Sequence, residues 1–170
     1  LSLIEPGMTV MINDGSLAAI LGKACIEKRP LTVITNNSAV IDALKAEAGI
    51  TLLALGGLYS SKFNAYLGKV TEDALSRLRA DVAFISTPAV SGTKVYHMDD
   101  DVLRSKRAMM DQAQVTCLLV NHTRFGKAAL HHLADLSEFD HIITDATPAP
   151  EAKAALDAAG ITLTITKSHE

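Results

Sequence analysis

The sequence predicts an α/β domain, a mostly parallel sheet flanked by helices. Two observations carry that expectation. Short β-rich runs alternate with helical runs from end to end of the 170 residues, which is the pattern of successive βαβ units. Most of the strand runs are continuously apolar rather than alternating, as strands are when helices cover both faces of their sheet. The composition agrees. Hydrophobic residues make up 48% and charged residues 21% of the chain, so it can bury a core. Aromatics are only 4% and Trp is absent, so that core is expected to be aliphatic.

In order, the strand candidates are 8–12 (MTVMI), 31–35 (LTVIT), 51–55 (TLLAL), 82–86 (VAFIS), 116–120 (TCLLV), 141–144 (HIIT) and 162–166 (TLTIT). Helix candidates fall at about 16–28, 38–48, 70–79, 99–114 and 150–159. Their junctions carry boundary residues. Ser38 precedes a helical run with Gly49 as its stop, Thr71 precedes EDALSRLRA, and Pro150 opens a run that ends at Gly160. The stretch 56–69, GGLYSSKFNAYLGK, is the longest non-helical connection. It is read either as an extra short strand or hairpin, or as a functional loop.

Several function classes are disfavoured. The formal net charge is −3, which argues against these residues gripping nucleic acid by themselves. No apolar run approaches the ~20 residues of a membrane span, so no membrane partner is expected. Cys25 and Cys117 are far apart and read as buried small hydrophobes. With no signal peptide visible, a reducing, cytoplasmic setting is expected. The adjacent His131 and His132 would face apart on a helix, and His97, His122 and His141 lack partners at ligand spacing. No metal or other cofactor is expected.

Ligands of open parallel sheets bind beyond the carboxyl ends of the strands. There this sequence places Asn13-Asp14-Gly15-Ser16, then Thr35-Asn36-Asn37, then Gly56-Gly57. Further on come Ser86-Thr87 with a loop to Lys94, then Asn121-His122-Thr123-Arg124, and Thr144-Asp145. This donor-rich rim suits a polyhydroxylated ligand. Asp14-Gly15-Ser16 opens a helix whose free N–H groups and macrodipole favour an anion. The alternative is plain capping by Asp14. Gly56-Gly57 either admits a ligand close to the backbone or makes a turn. On the 97–110 segment, Asp100 and Arg104 form a favourable surface pair, while Lys106 or Arg104 could lean over the site. Arg124 is shaped for bidentate contact with phosphate or carboxylate.

Taken in order, IEPGMTVMINDGSLAAILGKA, LTVITNN, LLALGG, YLGKVTEDALSRLRADVAFIS, KRAMM, LLVNHTRFGK and IITD resemble the C-terminal sensor domain of DeoR-family bacterial transcription regulators. The resemblance covers nearly the whole chain. It implies a fold similar to ribose-5-phosphate isomerase and coenzyme A transferases. It also implies a sensor of phosphorylated sugars or related metabolites, a homo-oligomer (dimer or tetramer), and DNA contact only through a helix-turn-helix domain preceding Leu1. The domain itself is expected to run over 1–170. The ligand set it implies is Asn13, Asp14, Gly15, Ser16, Asn36, Gly56, Gly57, Lys106, Asn121 and Arg124, with no catalytic residue. Asn13 and Asn121 stand where the family commonly has Asp, Ser16-Leu17 replaces a Thr pair, Arg124 replaces Lys, and Pro88-Ala89 replaces Asp-Gly. Two carboxylates have become amides, which loses candidate general bases and eases anion binding. The rival expectation is an active sugar-phosphate isomerase of the same fold. A third is an oligomerisation domain with a vestigial pocket.

Overall fold

A computed structural model describes residues 1–166. All seven expected strands join one parallel sheet. They are β1 (Thr9–Ile12), β2 (Leu31–Thr35), β3 (Ile50–Ala54), β6 (Ala80–Ser86), β9 (Ala113–Val120), β11 (His141–Thr144) and β12 (Thr164–Ile165), in the order β12-β11-β9-β6-β1-β2-β3. β4 (Leu58–Ser60) and β5 (Ala65–Leu67) pair as an antiparallel hairpin, which decides the reading of the 56–69 stretch. A second small sheet holds β7 (Ala89–Ser91), β8 (Lys94–His97) and β10 (His131–Asp135), all antiparallel. Two expectations fail here. The segment after Thr87 is a β-hairpin rather than a loop. His131 and His132 lie on a strand rather than a helix.

The helices are α1 (Ser16–Ala24), α2 (Ser38–Leu44), α3 (Lys69–Leu75), α4 (Asp100–Gln112) and α5 (Pro150–Ala158). A 3₁₀ turn over Cys25–Lys28 continues α1. Three boundary expectations are corrected. Asn37, not Ser38, caps α2, accepting from the N–H groups of Ala39 and Val40. That helix stops at Leu44, and Gly49 instead turns the chain into β3 with φ +81°. Gly68 precedes α3, and Thr71 lies inside it, donating its hydroxyl to the Gly56 carbonyl at 2.6 Å. Pro150 does start α5.

Side chains leave the sheet alternately, so two cores form. Val10, Ile12, Val33 and Phe84 point to the α1–α2 side, with Cys25 and Cys117 among them. Met11, Ile34, Ala83 and Leu118 point to the other side, against Met109 of α4, Leu156 of α5 and the small sheet. Both cysteines are free, and burial pushes their thiols up, to about 11 for Cys25 and about 12 for Cys117. Among the described residues, no helix is long and apolar enough to cross a membrane.

The strand order reverses at β1. The chain moves outward from β1 through β2 to β3, then returns to β6 on the other flank. The crevice at the carboxyl ends of β1 and β6 is therefore the topological switch point, the position where sheets of this kind take ligands.

Candidate functional site

Asn13 and Asp14 follow β1 directly into that crevice, and both are buried. Asn13 Oδ1 accepts from the Ser86 N–H at 3.1 Å, tying the end of β1 to the end of β6. The Ser86 hydroxyl donates to the Asp14 carbonyl at 2.8 Å. From the other flank, Asn37 Nδ2 donates to the carbonyls of Asn13 (3.1 Å) and Gly15 (3.2 Å). Three strand ends are thus locked into one polar floor. Gly15 makes this possible. Its φ is +105°, and a Cβ there would stand 2.6 Å from Ser86 Oγ.

Lys106 reaches the same floor from α4. Its ammonium donates to the Ser86 carbonyl at 2.8 Å and lies 3.3 Å from Asp14 Oδ1, with about 1% of the residue exposed. Burial lowers the Lys106 pKa, and the Asp14 charge opposes that shift. Of the two readings of Asp14, helix capping is therefore not the one adopted. No side chain caps that helix, and the carboxylate faces Lys106 instead. Arg104, the other basic candidate on α4, pairs with Asp100 at 2.9 Å on the surface.

Among the described residues, Asn13 Nδ2 and Asn36 Oδ1 are buried without a hydrogen-bond partner, and Asp14 Oδ1 has none besides the Lys106 ammonium. Asn36 is held by its other end, Nδ2 donating to the Tyr66 carbonyl at 3.0 Å on β5. Native interiors seldom leave such atoms unpaired, because each costs about 1–3 kcal/mol. Asn13 Nδ2 lies at the switch point and Asn36 Oδ1 one strand over, at the end of β2. Beside the switch point, the exposed Ser16 and half-buried Gly15 form the rim, where the first turn of α1 keeps its backbone N–H groups free of any side-chain cap.

The other expected residues lie apart. Gly56 and Gly57 are exposed, and a Cβ on Gly57 would meet Thr71 Oγ1 at 2.1 Å and the Leu67 carbonyl at 2.7 Å. Packing of the hairpin against α3 accounts for that glycine. Asn121 and Arg124 stand beyond β9, two strand spacings from β1, or roughly 10 Å. Both amide atoms of Asn121 are engaged, Oδ1 by the Thr123 N–H and hydroxyl and Nδ2 by Asp145. Asp145 also accepts from the His122 N–H at 2.7 Å and meets His122 Nδ1 at 2.9 Å. Those bonds hold the Asp145 carboxyl below its ordinary pKa. Arg124 is exposed. A cavity of about 550 Å³ lies farther along this side, between α1 and β11. Its walls are chiefly apolar, Leu17, Ile20, Leu119 and Ile143 among them, and they exclude Asn13, Asp14 and Lys106.

Sequence reasoning passed over Asn37 and Ser86 as site residues, although both sit on the strand ends it named. It also set His97 aside as unpartnered. In the fold, His97 ends β8, is buried, and feels the charges of Lys106 and Asp14. Desolvation leads the lowering of its pKa to about 4.

The DeoR C-terminal sensor domain model matches residues 1–146. The chain belongs to that family. It is 28% identical over 168 residues to the uncharacterized HTH-type transcriptional regulator YgbI of Escherichia coli, covering 99% of this chain and 66% of that protein. It is 27% identical to the glycerol-3-phosphate regulon repressor of the same organism (85% of this chain, 58% of that one). Against the HTH-type transcriptional repressor GlcR of Bacillus subtilis it is 29% identical, covering 99% and 65%. The chain thus spans less than two thirds of the length of these relatives.

Among solved structures, the sensor domain is similar to a D-ribose-5-phosphate isomerase in complex with phospho-erythronic acid. That match has a TM-score of 0.52 and 16% identity, covering 74% of this chain and 49% of that one. A 4-hydroxybutyrate CoA-transferase from Porphyromonas gingivalis matches with a TM-score of 0.51 and 16% identity, over 84% and 36%. At these identities the likeness is one of fold. The sheet flanked by helices is therefore the ribose-5-phosphate isomerase and CoA-transferase architecture.

Proposed function

We propose that this sensor domain binds a phosphorylated sugar or polyol at the switch point, and that binding controls a DNA-binding domain preceding Leu1. The observation that carries the reading is the buried Asp14–Lys106 pair with Asn13 Nδ2 and Asn36 Oδ1 unpartnered among the described residues on neighbouring strand ends. Asn13 Nδ2 offers donors, Asn36 Oδ1 offers an acceptor, and the Asp14 carboxylate has lone pairs beyond its contact with Lys106. The Lys106 ammonium has three protons and two partners among the described residues. A mixture of donors and acceptors matches hydroxyl groups, each of which both gives and accepts. The phosphate belongs at the rim, on the uncapped N–H groups at the start of α1, where the helix dipole favours it. That placement keeps it off the Asp14 carboxylate. The name of the glycerol-3-phosphate repressor points to the same ligand class.

The ligand set contracts to Asn13, Asp14, Gly15, Ser16, Asn36 and Lys106. Asn121 and Gly57 already have structural partners. The output to DNA is a population shift, so the ligand must favour one arrangement of a homo-oligomer over another. Thermal unfolding against glycerol 3-phosphate, D-ribose 5-phosphate, D-fructose 6-phosphate and their unphosphorylated counterparts tests the reading. A ligand at ~100 times its Kd adds about 2.7 kcal/mol. Stabilisation by a phosphorylated compound, without turnover, is the expected result. A response to another metabolite class alone overturns it, and isomerisation of D-ribose 5-phosphate would make the domain an enzyme instead.

A further inference from the structure

We infer that Asn13 sets the oxidation level of the effector, its side-chain amide donating to a carbonyl oxygen of a ketose or aldose phosphate. The inference rests on the phosphosugar reading above and specifies which oxygen of that ligand lies against β1.

Every other polar group of Asn13 is already bonded. Its N–H donates to the Phe84 carbonyl at 3.3 Å. Its carbonyl accepts from Asn37 Nδ2 at 3.1 Å, and its side-chain Oδ1 accepts from the Ser86 N–H at 3.1 Å. A peptide N–H can only donate, so the atom facing Ser86 is the amide oxygen, and the amide nitrogen is the free end. Asn13 is 0% exposed, and that nitrogen has no partner among the described residues. The residue is thus pinned from β2 and β6, with its side-chain N–H donors left over for a ligand oxygen.

The neighbours select the kind of oxygen. Lys106 donates to the carbonyl of the same Ser86 at 2.8 Å, and its charge is matched by Asp14 at 3.3 Å. The end of β1 therefore offers donors without surplus positive charge, which suits a neutral acceptor. A buried carboxylate there would meet Asp14 without a cation of its own. Asn36 presents the opposite polarity. Its Nδ2 donates to the Tyr66 carbonyl at 3.0 Å, and a carbonyl can only accept, so its free end is Oδ1, an acceptor. Ile12 pairs with Thr35, and Asn13 and Asn36 follow them on adjacent strands. One strand end calls for an oxygen that accepts and the next for a hydroxyl that donates. A phosphorylated sugar with a carbonyl beside a hydroxyl meets both.

Matched pairs of phosphates separate the two oxidation levels: dihydroxyacetone phosphate against glycerol 3-phosphate, D-ribulose 5-phosphate against D-ribitol 5-phosphate, and D-fructose 6-phosphate against D-glucitol 6-phosphate. Every member keeps a hydroxyl for Asn36. Asn13→Asp retains an oxygen to accept from Ser86 and turns the free donor into an acceptor. Calorimetric titration of the parent protein and this variant reads the ranking. In the parent, the carbonyl member of the pair that binds is expected to be tighter by about tenfold. In Asn13→Asp the ranking should reverse, because a carboxylate repels a carbonyl oxygen but accepts from a hydroxyl. The parental ranking tests the inference even where the variant does not fold. Tighter binding of the alcohol by the parent, or equal weakening of both members in Asn13→Asp, overturns the inference and leaves the phosphosugar reading standing. Failure of the parent protein to bind any of the six overturns both.

Discussion

The ends of β1 and β6 and the ends of β9 and β11 carry the same kinds of residue, asparagine, aspartate, a hydroxyl and a basic group, yet they differ in what surrounds them. At the first pair, Asn13, Asp14, Ser86 and Lys106 are buried, and Asn13 Nδ2 lacks a partner among the described residues. At the second, Asn121, His122 and Asp145 are partly solvated and satisfy one another. Burial changes the meaning of a polar residue. In water an unused donor costs nothing, whereas in the interior it must be satisfied or tolerated as a cost. The difference separates a buried cluster with unmet hydrogen-bonding capacity from a partly solvated turn whose groups bond one another.

The sharpest way to break the comparison is to remove one charge from the buried pair. Lys106→Met should destabilise the domain by about 3–5 kcal/mol, because Asp14 is left buried and unpaired. Adding Asp14→Asn should recover most of that loss. Denaturant unfolding checks both, and simple additivity would contradict the pairing.

The pH dependence of stability comes next. His97 titrates at about 4 in the folded chain, below its ordinary 6.5, chiefly because it is desolvated. Above pH 6.5 both states are neutral there and the group contributes no slope. As pH falls from 6.5 to 4, the unfolded chain takes a proton that the folded chain refuses, so stability drops, by at most about 3 kcal/mol. His97→Asn should flatten that part of the profile, as measured by urea unfolding at a series of pH values.

Glycines sharpen the contrast further. Gly15 and Gly126 both have positive φ, +105° and +85°, but only at Gly15 would a Cβ collide, with Ser86 Oγ at 2.6 Å. Gly126→Ala should cost about 1 kcal/mol from conformation alone, and Gly15→Ala up to about 3 kcal/mol. Equal losses in thermal unfolding would deny the close approach of β1 and β6.

The smallest effect is expected at the solvated cluster. Asp145→Asn should change stability by less than about 1 kcal/mol, since the group is half exposed. Ligand affinity should stay unchanged. A large affinity loss there would move the site to β9 and β11.

The main sheet was legible because continuous apolar runs such as LTVIT and VAFIS report burial on both faces, and each proved a strand. The small sheet was not. AVS, KVYH and HHLAD are short and partly polar, and they hold together through antiparallel pairing and packing on α4, which no local pattern encodes. The same limit applies to the site. The strand ends could be named from sequence, but which of them meet depends on strand order, and β6 lies beside β1 only in the folded sheet. Asp14 looked like a helix cap because its partner, Lys106, arrives from a distant helix. Asn121 gave no sign in sequence of its bond to Asp145, which belongs to another strand.

The central claim is that ligand binds at β1, β2 and β6 rather than at β9 and β11. Amide-resolved NMR during titration with D-ribose 5-phosphate and glycerol 3-phosphate tests it most directly. The largest shifts should fall on the amides of Gly15, Ser16, Asn36 and Ser86, with Asn121–Arg124 and Asp145 little changed. Shifts confined to Asn121–Arg124 and Asp145, or no shift with any phosphorylated sugar, would contradict the account.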